Sequence, residues 1–104
     1  MSRENYIMGG FLKKTQRGFG LIEFKDQNGE DCSLQESSSG MERRIWLGCD
    51  NIGLKQLIPG RGWINVELDE KNCLANTRMH LNQKQVAELL PALQYFVEHG
   101  ELGQ

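Results

Sequence analysis

Phe19-Gly20-Leu21-Ile22-Glu23-Phe24-Lys25-Asp26-Gln27-Asn28-Gly29-Glu30-Asp31-Cys32-Ser33-Leu34-Gln35 is the stretch that decides the fold. Two apolar-rich runs flank a turn built on Asn28-Gly29, the pattern of a β-hairpin. Facing sets the loop length. A two-residue Asn28-Gly29 loop pairs Phe24 with Ser33 and Ile22 with Gln35. A three-residue loop, Gln27 to Gly29, pairs Phe24 with Cys32 and Ile22 with Leu34. A one-residue slip turns every side chain to the other face, so apolar opposite apolar selects the second register. That register predicts a type I turn with Gly29 left-handed in a G1 bulge, although Asn-Gly alone suggests a type I′ turn.

Working outward, Ile45-Trp46-Leu47-Gly48-Cys49 reads as a short strand, with Trp46 in the core because its neighbours are apolar on both sides. Residues 50–62 read as a loop punctuated by Pro59-Gly60 and Gly62. Trp63-Ile64-Asn65-Val66-Glu67-Leu68 alternates and places Ile64, Val66 and Leu68 on one face. Residues 69–72 read as a turn. Residues 73–80 read as a further strand, with Ala75, Thr77 and Met79 on one face and Leu74, Asn76, Arg78 and His80 on the other.

The C-terminal element is a helix over about residues 83–99. Asn82 can cap it, and Gln85 completes a capping box. Val86, Leu89, Leu90, Leu93, Phe96 and Val97 form one apolar stripe at helical spacing. Pro91 interrupts the backbone bonding, and Gly100 supplies a left-handed stop with His99 in the last turn. The expected fold is α+β: an antiparallel sheet of about five or six strands with one C-terminal α-helix packed on it, in a single domain over residues 1–104. So small a core leaves apolar surface over, which predicts self-association.

Length and charge narrow the function classes. The chain has 104 residues and a formal charge of −2, which argues against a dedicated duplex nucleic-acid binder. No apolar run approaches a membrane span, and Met1-Ser2-Arg3-Glu4-Asn5-Tyr6 opens no signal core. A cytoplasmic protein with no membrane association is therefore expected. Charge is uneven along the chain. Arg3, Lys13, Lys14, Arg17 and Lys25 make the first segment basic, Asp26, Glu30, Asp31, Glu36 and Glu42 follow without a base, and Arg43, Arg44, Lys55 and Arg61 restore positive charge. Local basic segments of this kind suit a small anion more than a polyanion.

Cys32, Cys49 and Cys73 stand apart, with no C-x-x-C and no nearby histidine. Reduced thiols packed as small apolar residues are expected, with no metal site and no cofactor. Asn76, Arg78 and His80 line one strand face at two-residue steps of about 6.6 Å. Arginine offers a planar fork for phosphate, asparagine both donor and acceptor, and histidine a group that exchanges protons near neutrality. Gly60-Arg61-Gly62-Trp63 is a second candidate, where two glycines let backbone approach a ligand and the indole can stack on a base. Arg43 and Arg44 can clamp a phosphate. Gly18-Phe19-Gly20 is no phosphate-binding loop, because it lacks a third glycine and the lysine. No nucleophile adjoins His80 in sequence and no carboxylate pair has catalytic spacing, so an enzyme is not expected.

Several segments together carry a resemblance: Cys32-Ser33-Leu34-Gln35-Glu36-Ser37-Ser38, Ile45-Trp46-Leu47-Gly48, Asn76-Thr77-Arg78-Met79-His80-Leu81, and Gln85-Val86 with Leu89-Leu90-Pro91-Ala92-Leu93-Gln94-Tyr95-Phe96-Val97-Glu98-His99-Gly100-Glu101-Leu102. The set, over roughly residues 18–102, resembles small phage-encoded proteins and most closely the first of the phage Thoeris anti-defence families. The resemblance implies a homo-oligomeric sponge with pockets between subunits. Such a sponge holds a cyclic ADP-ribose isomer, and in some members cyclic oligonucleotides at separate sites, without cleaving them. The function it leads to is a phage anti-defence protein in the infected bacterial cell, whose partner is a small nucleotide signalling molecule. The alternative is a phage inhibitor or adaptor that binds a host protein directly, with the acidic run 26–42 as a nucleic-acid mimic. A third reading is a small nucleotide-degrading enzyme with His80 as acid and base. The binding residues expected on these grounds are Arg78, Asn76, His80, Arg61, Trp63, Arg44 and Arg43.

Overall fold

A computed structural model describes residues 6, 7, 10–38, 40–69 and 71–103. Its elements run β1 (Tyr6–Ile7), β2 (Gly10–Phe11), β3 (Lys13–Lys14), β4 (Gly20–Lys25), β5 (Asp31–Glu36), β6 (Arg44–Cys49), β7 (Lys55–Ile58), β8 (Gly62–Asn65), β9 (Arg78–Asn82) and α1 (Gln83–His99). The main sheet has the order β3-β4-β5-β6-β9, with every neighbour antiparallel. Two two-stranded sheets, β1-β2 and β7-β8, accompany it. The architecture is α+β, as the sequence predicts.

The deciding hairpin takes the register that apolar facing selects. Phe24 lies opposite Cys32 and Ile22 opposite Leu34. Gly29 is left-handed with φ 84°. Its N–H donates to the Asp26 carbonyl at 3.0 Å, and the Asp26 N–H donates to the Glu30 carbonyl at 3.1 Å. The Asp26 side chain holds the turn from outside, because Oδ1 accepts from the Asn28 and Glu30 N–H groups at 2.8 and 2.9 Å. Period-two alternation then gives the sheet two unlike faces. One carries Ile22, Phe24, Cys32, Leu34, Ile45, Leu47, Cys49, Met79 and Leu81, and its most deeply buried members are Ile22 and Cys32. The other carries Glu23, Ser33, Gln35, Trp46, Arg78 and His80.

Several expectations change. Residues 50–62 are not loop throughout, since Lys55–Ile58 pairs with Gly62–Asn65 and sets Leu57 opposite Trp63. Left-handed Gly60 and Gly62 close that hairpin, and the Arg61 N–H donates to the Ile58 carbonyl at 3.0 Å. The alternation through Leu68 is therefore strand only as far as Asn65, where the partner strand runs out. Residues 73–77 are not strand, because β6 pairs with β9 only from Gly48 opposite Arg78. Trp46 does not enter the apolar core, since its register places it on the polar face.

The helix spans Gln83–His99 with the expected capping box: Asn82 Oδ1 accepts from the Gln85 N–H at 2.8 Å and Gln85 Oε1 accepts from the Asn82 N–H at 3.0 Å. Gly100 ends it with φ 76°, and Pro91 lies inside. No residue of α1 is buried, so its apolar stripe is left largely uncovered by the sheet. Leu93 is 55% exposed and Val97 82%. The cause is local: β9 ends at Asn82 and α1 begins at Gln83, so no linker exists to fold the helix back. A cleft of about 1080 Å³ separates the first turns of α1 from the sheet end and residues 40–45. No helix among the described residues is long and apolar enough to cross a membrane.

Candidate ligand-binding face

The polar face of the β5-β6-β9 ladder gathers the chemistry. Gln35, Trp46 and His80 form one cross-strand row, and Ser33, Gly48 and Arg78 form the next. The His80 imidazole stacks on the Trp46 indole with ring centroids 3.8 Å apart and planes 5° from parallel. His80 Nε2 also lies 2.9 Å from Ser37 Oγ, just past the end of β5, which holds the ring in place.

Arg78 is held beside this pair. Its Nη1 donates to Gln35 Oε1 at 2.9 Å and to Ser33 Oγ at 3.3 Å, and its guanidinium carbon stands 5.5 Å from the Trp46 ring centroid. Ser33 is 3% exposed and donates in turn to Asp50 Oδ1 at 2.6 Å. Both hydrogen bonds of Arg78 to described residues use Nη1 and both partners are neutral, so the fork formed by Nη2 and Nε keeps its donors and its charge for an anion.

Gly48 makes the approach possible. At φ 150° it lies where L side chains strain, and a Cβ there would meet the Thr77 carbonyl oxygen and come within 2.8 Å of Arg78 Cα. Only a residue without a side chain lets β9 enter the ladder at Arg78.

The seven expected site residues separate. Arg78 and His80 meet on this face. Asn76 lies just before β9, exposed and outside the strand, so it does not continue their row. Arg43 and Arg44 line the cleft beside α1, where Arg44 also pairs with Glu42 at 2.9 Å. Arg61 and Trp63 belong to the β7-β8 hairpin, with Trp63 68% exposed, and not to the main sheet. Sequence reasoning missed Ser33, Gln35 and Trp46. The signal available was the polar alternation Ser33, Gln35, Ser37, which marks one face of β5 as polar, but the facing of Trp46 depends on register with β5.

Comparison with protein-family models finds no match, and comparisons with curated proteins and with solved structures find none either.

Proposed function

We propose that the chain binds and sequesters a nucleotide immune signal, a cyclic ADP-ribose isomer, without cleaving it, as a phage anti-defence protein. The single observation that carries the reading is the Arg78 guanidinium, held by neutral partners beside the Trp46–His80 stack. A nucleotide needs an anion donor and a flat apolar surface a few ångströms apart. Arg78 supplies a planar fork for phosphate, and the outer ring of the stack supplies a surface for a base. Ser37 and Gln35 add hydroxyl and amide groups for ribose. The sequence resemblance supports the same ligand class. Cyclic oligonucleotides, bound at separate sites, fall under the same proposal.

Self-association belongs to this reading. The exposed stripe of Leu89, Leu90, Leu93, Phe96 and Val97 runs along a helix about 25 Å long. That is the length scale of a standard two-fold interface, and a second copy in the bacterial cytoplasm would cover it. Direct binding to a host protein is the competing use of the same stripe.

The test is retention and release. The protein is incubated with a cyclic ADP-ribose isomer, desalted, heat-denatured, and the supernatant is assayed. Intact ligand recovered in proportion to protein is expected. Altered ligand points to an enzyme, and no retention leaves host-protein binding.

A further inference from the structure

Cys32 and Cys49, isolated in sequence, are directly opposite each other in the β5-β6 ladder. The Asp50 N–H donates to the Asp31 carbonyl at 2.9 Å. That bond belongs to the neighbouring pair, so Cys32 and Cys49 occupy the non-hydrogen-bonded position, where facing side chains approach most closely. Their Sγ atoms lie 3.8 Å apart, and both thiols are free. Asp26 joins them from the β4-β5 turn: one ligand atom from each of Asp26, Cys32 and Cys49 falls within 4.8 Å of the others. We propose that Asp26, Cys32 and Cys49 form a binding site for a thiophilic divalent cation of the zinc and cadmium class.

Two observations support it. The first is bite. Two metal–sulfur bonds of about 2.3 Å at a tetrahedral angle span about 3.8 Å between sulfurs, so the pair needs no rearrangement to chelate. The second is orientation. Asp26 Oδ1 takes both turn hydrogen bonds, from Asn28 and Glu30, so the carboxylate is fixed in place while Oδ2 retains its lone pairs. Outer hydrogen bonds of this kind orient metal-ligating carboxylates.

Binding is balanced by the release of two thiol protons to solvent, after which two thiolates and one carboxylate hold the cation and a water takes the fourth position. The cation would tie the β4-β5 turn to β6 directly behind Ser33 and Asp50, the pair that supports Arg78. The site does not depend on the nucleotide reading, because no ligand atom of one belongs to the other.

The full-length protein, reduced and stripped with chelator, is titrated with Cd2+ while the ultraviolet thiolate-to-cadmium charge-transfer band is followed, and bound metal is counted after desalting. One cation per chain and a raised melting temperature are expected. Cys49→Ser abolishes the band, Cys73→Ser leaves it unchanged, and Asp26→Asn, which keeps the turn-holding Oδ1, weakens binding at least tenfold. Should Cys49→Ser fail to fold, wild-type stoichiometry and Asp26→Asn decide. The proposal is overturned by the absence of a band, by a band that survives in folded Cys49→Ser, by its loss in Cys73→Ser, or by unchanged affinity in Asp26→Asn. A mild oxidant that links Cys32 to Cys49 in protein that takes up no Cd2+ also overturns it.

Discussion

Trp46 and His80 face each other across the β6-β9 ladder and stack with centroids 3.8 Å apart. The pair turns the polar face of the sheet into a rigid aromatic surface, because register fixes one ring and a hydrogen bond to Ser37 fixes the other. A double-mutant cycle of Trp46→Ala and His80→Ala should give a coupling of about 0.5–1.5 kcal/mol in urea denaturation, the usual worth of a stacked pair. Additive effects would mean that the rings do not stack in solution.

If the proposed function holds, Arg78→Ala should weaken binding of the nucleotide signal by about 10- to 150-fold, the loss of one charged hydrogen bond. Melting temperature should move little, because the neutral Gln35 is left with an amide oxygen that water can reach. Calorimetric titration of both proteins reads the affinity. Equal dissociation constants would remove this face from consideration.

Leu93→Ala separates a core helix from an interface helix. A core leucine costs roughly 2–5 kcal/mol to truncate. Leu93 is 55% exposed in one chain, so a monomer should lose less than about 1 kcal/mol. If a second copy covers the stripe, the loss grows with protein concentration. Melting curves at two concentrations, with native mass by light scattering, measure this. A concentration-independent loss above about 2 kcal/mol would place the stripe in a core after all.

Alkaline pH should destabilise the fold through Cys32. Its thiol is raised from 9.0 to about 11 by burial first, then by Cys49, Asp26 and Asp50. The folded state therefore keeps a proton that the unfolded chain loses. This contribution is complete below about 9 and disappears as pH rises toward 11. Lys25, raised above 10.5 chiefly by its hydrogen bond to Asp31, acts in the same direction only beyond that pH. The fall of melting temperature across the window should be shallower in Cys32→Ala than in the wild type. Parallel curves would assign the loss elsewhere.

The hairpin register and the helix were legible because both rest on local rules. Apolar facing across one short turn has two candidate registers, and only one pairs Phe24 with Cys32. The helix ends are written in Asn82, Gln85 and Gly100, whose capping chemistry acts within a single turn. The alternation of Arg78 and His80 on one face follows from strand geometry alone. The extent of each strand was less legible, since strand ends depend on a partner. Residues 73–77 lose their strand because β6 runs out, and residues 55–58 gain one because 62–65 folds back on them.

The amino-acid sequence by itself determined the α+β class, the central hairpin and its register, the capped helix with its apolar stripe, and the shared face of Arg78 and His80. All of these are set by interactions between residues a few positions apart. The tertiary structure alone decided that Trp46 joins the polar face, that Arg78 is held by Gln35 and Ser33, that Cys32 meets Cys49, and that α1 stands away from the sheet. Each of these depends on alignment between strands far apart in the chain, or on a strand-to-helix junction with no linker, and neither is encoded in local periodicity.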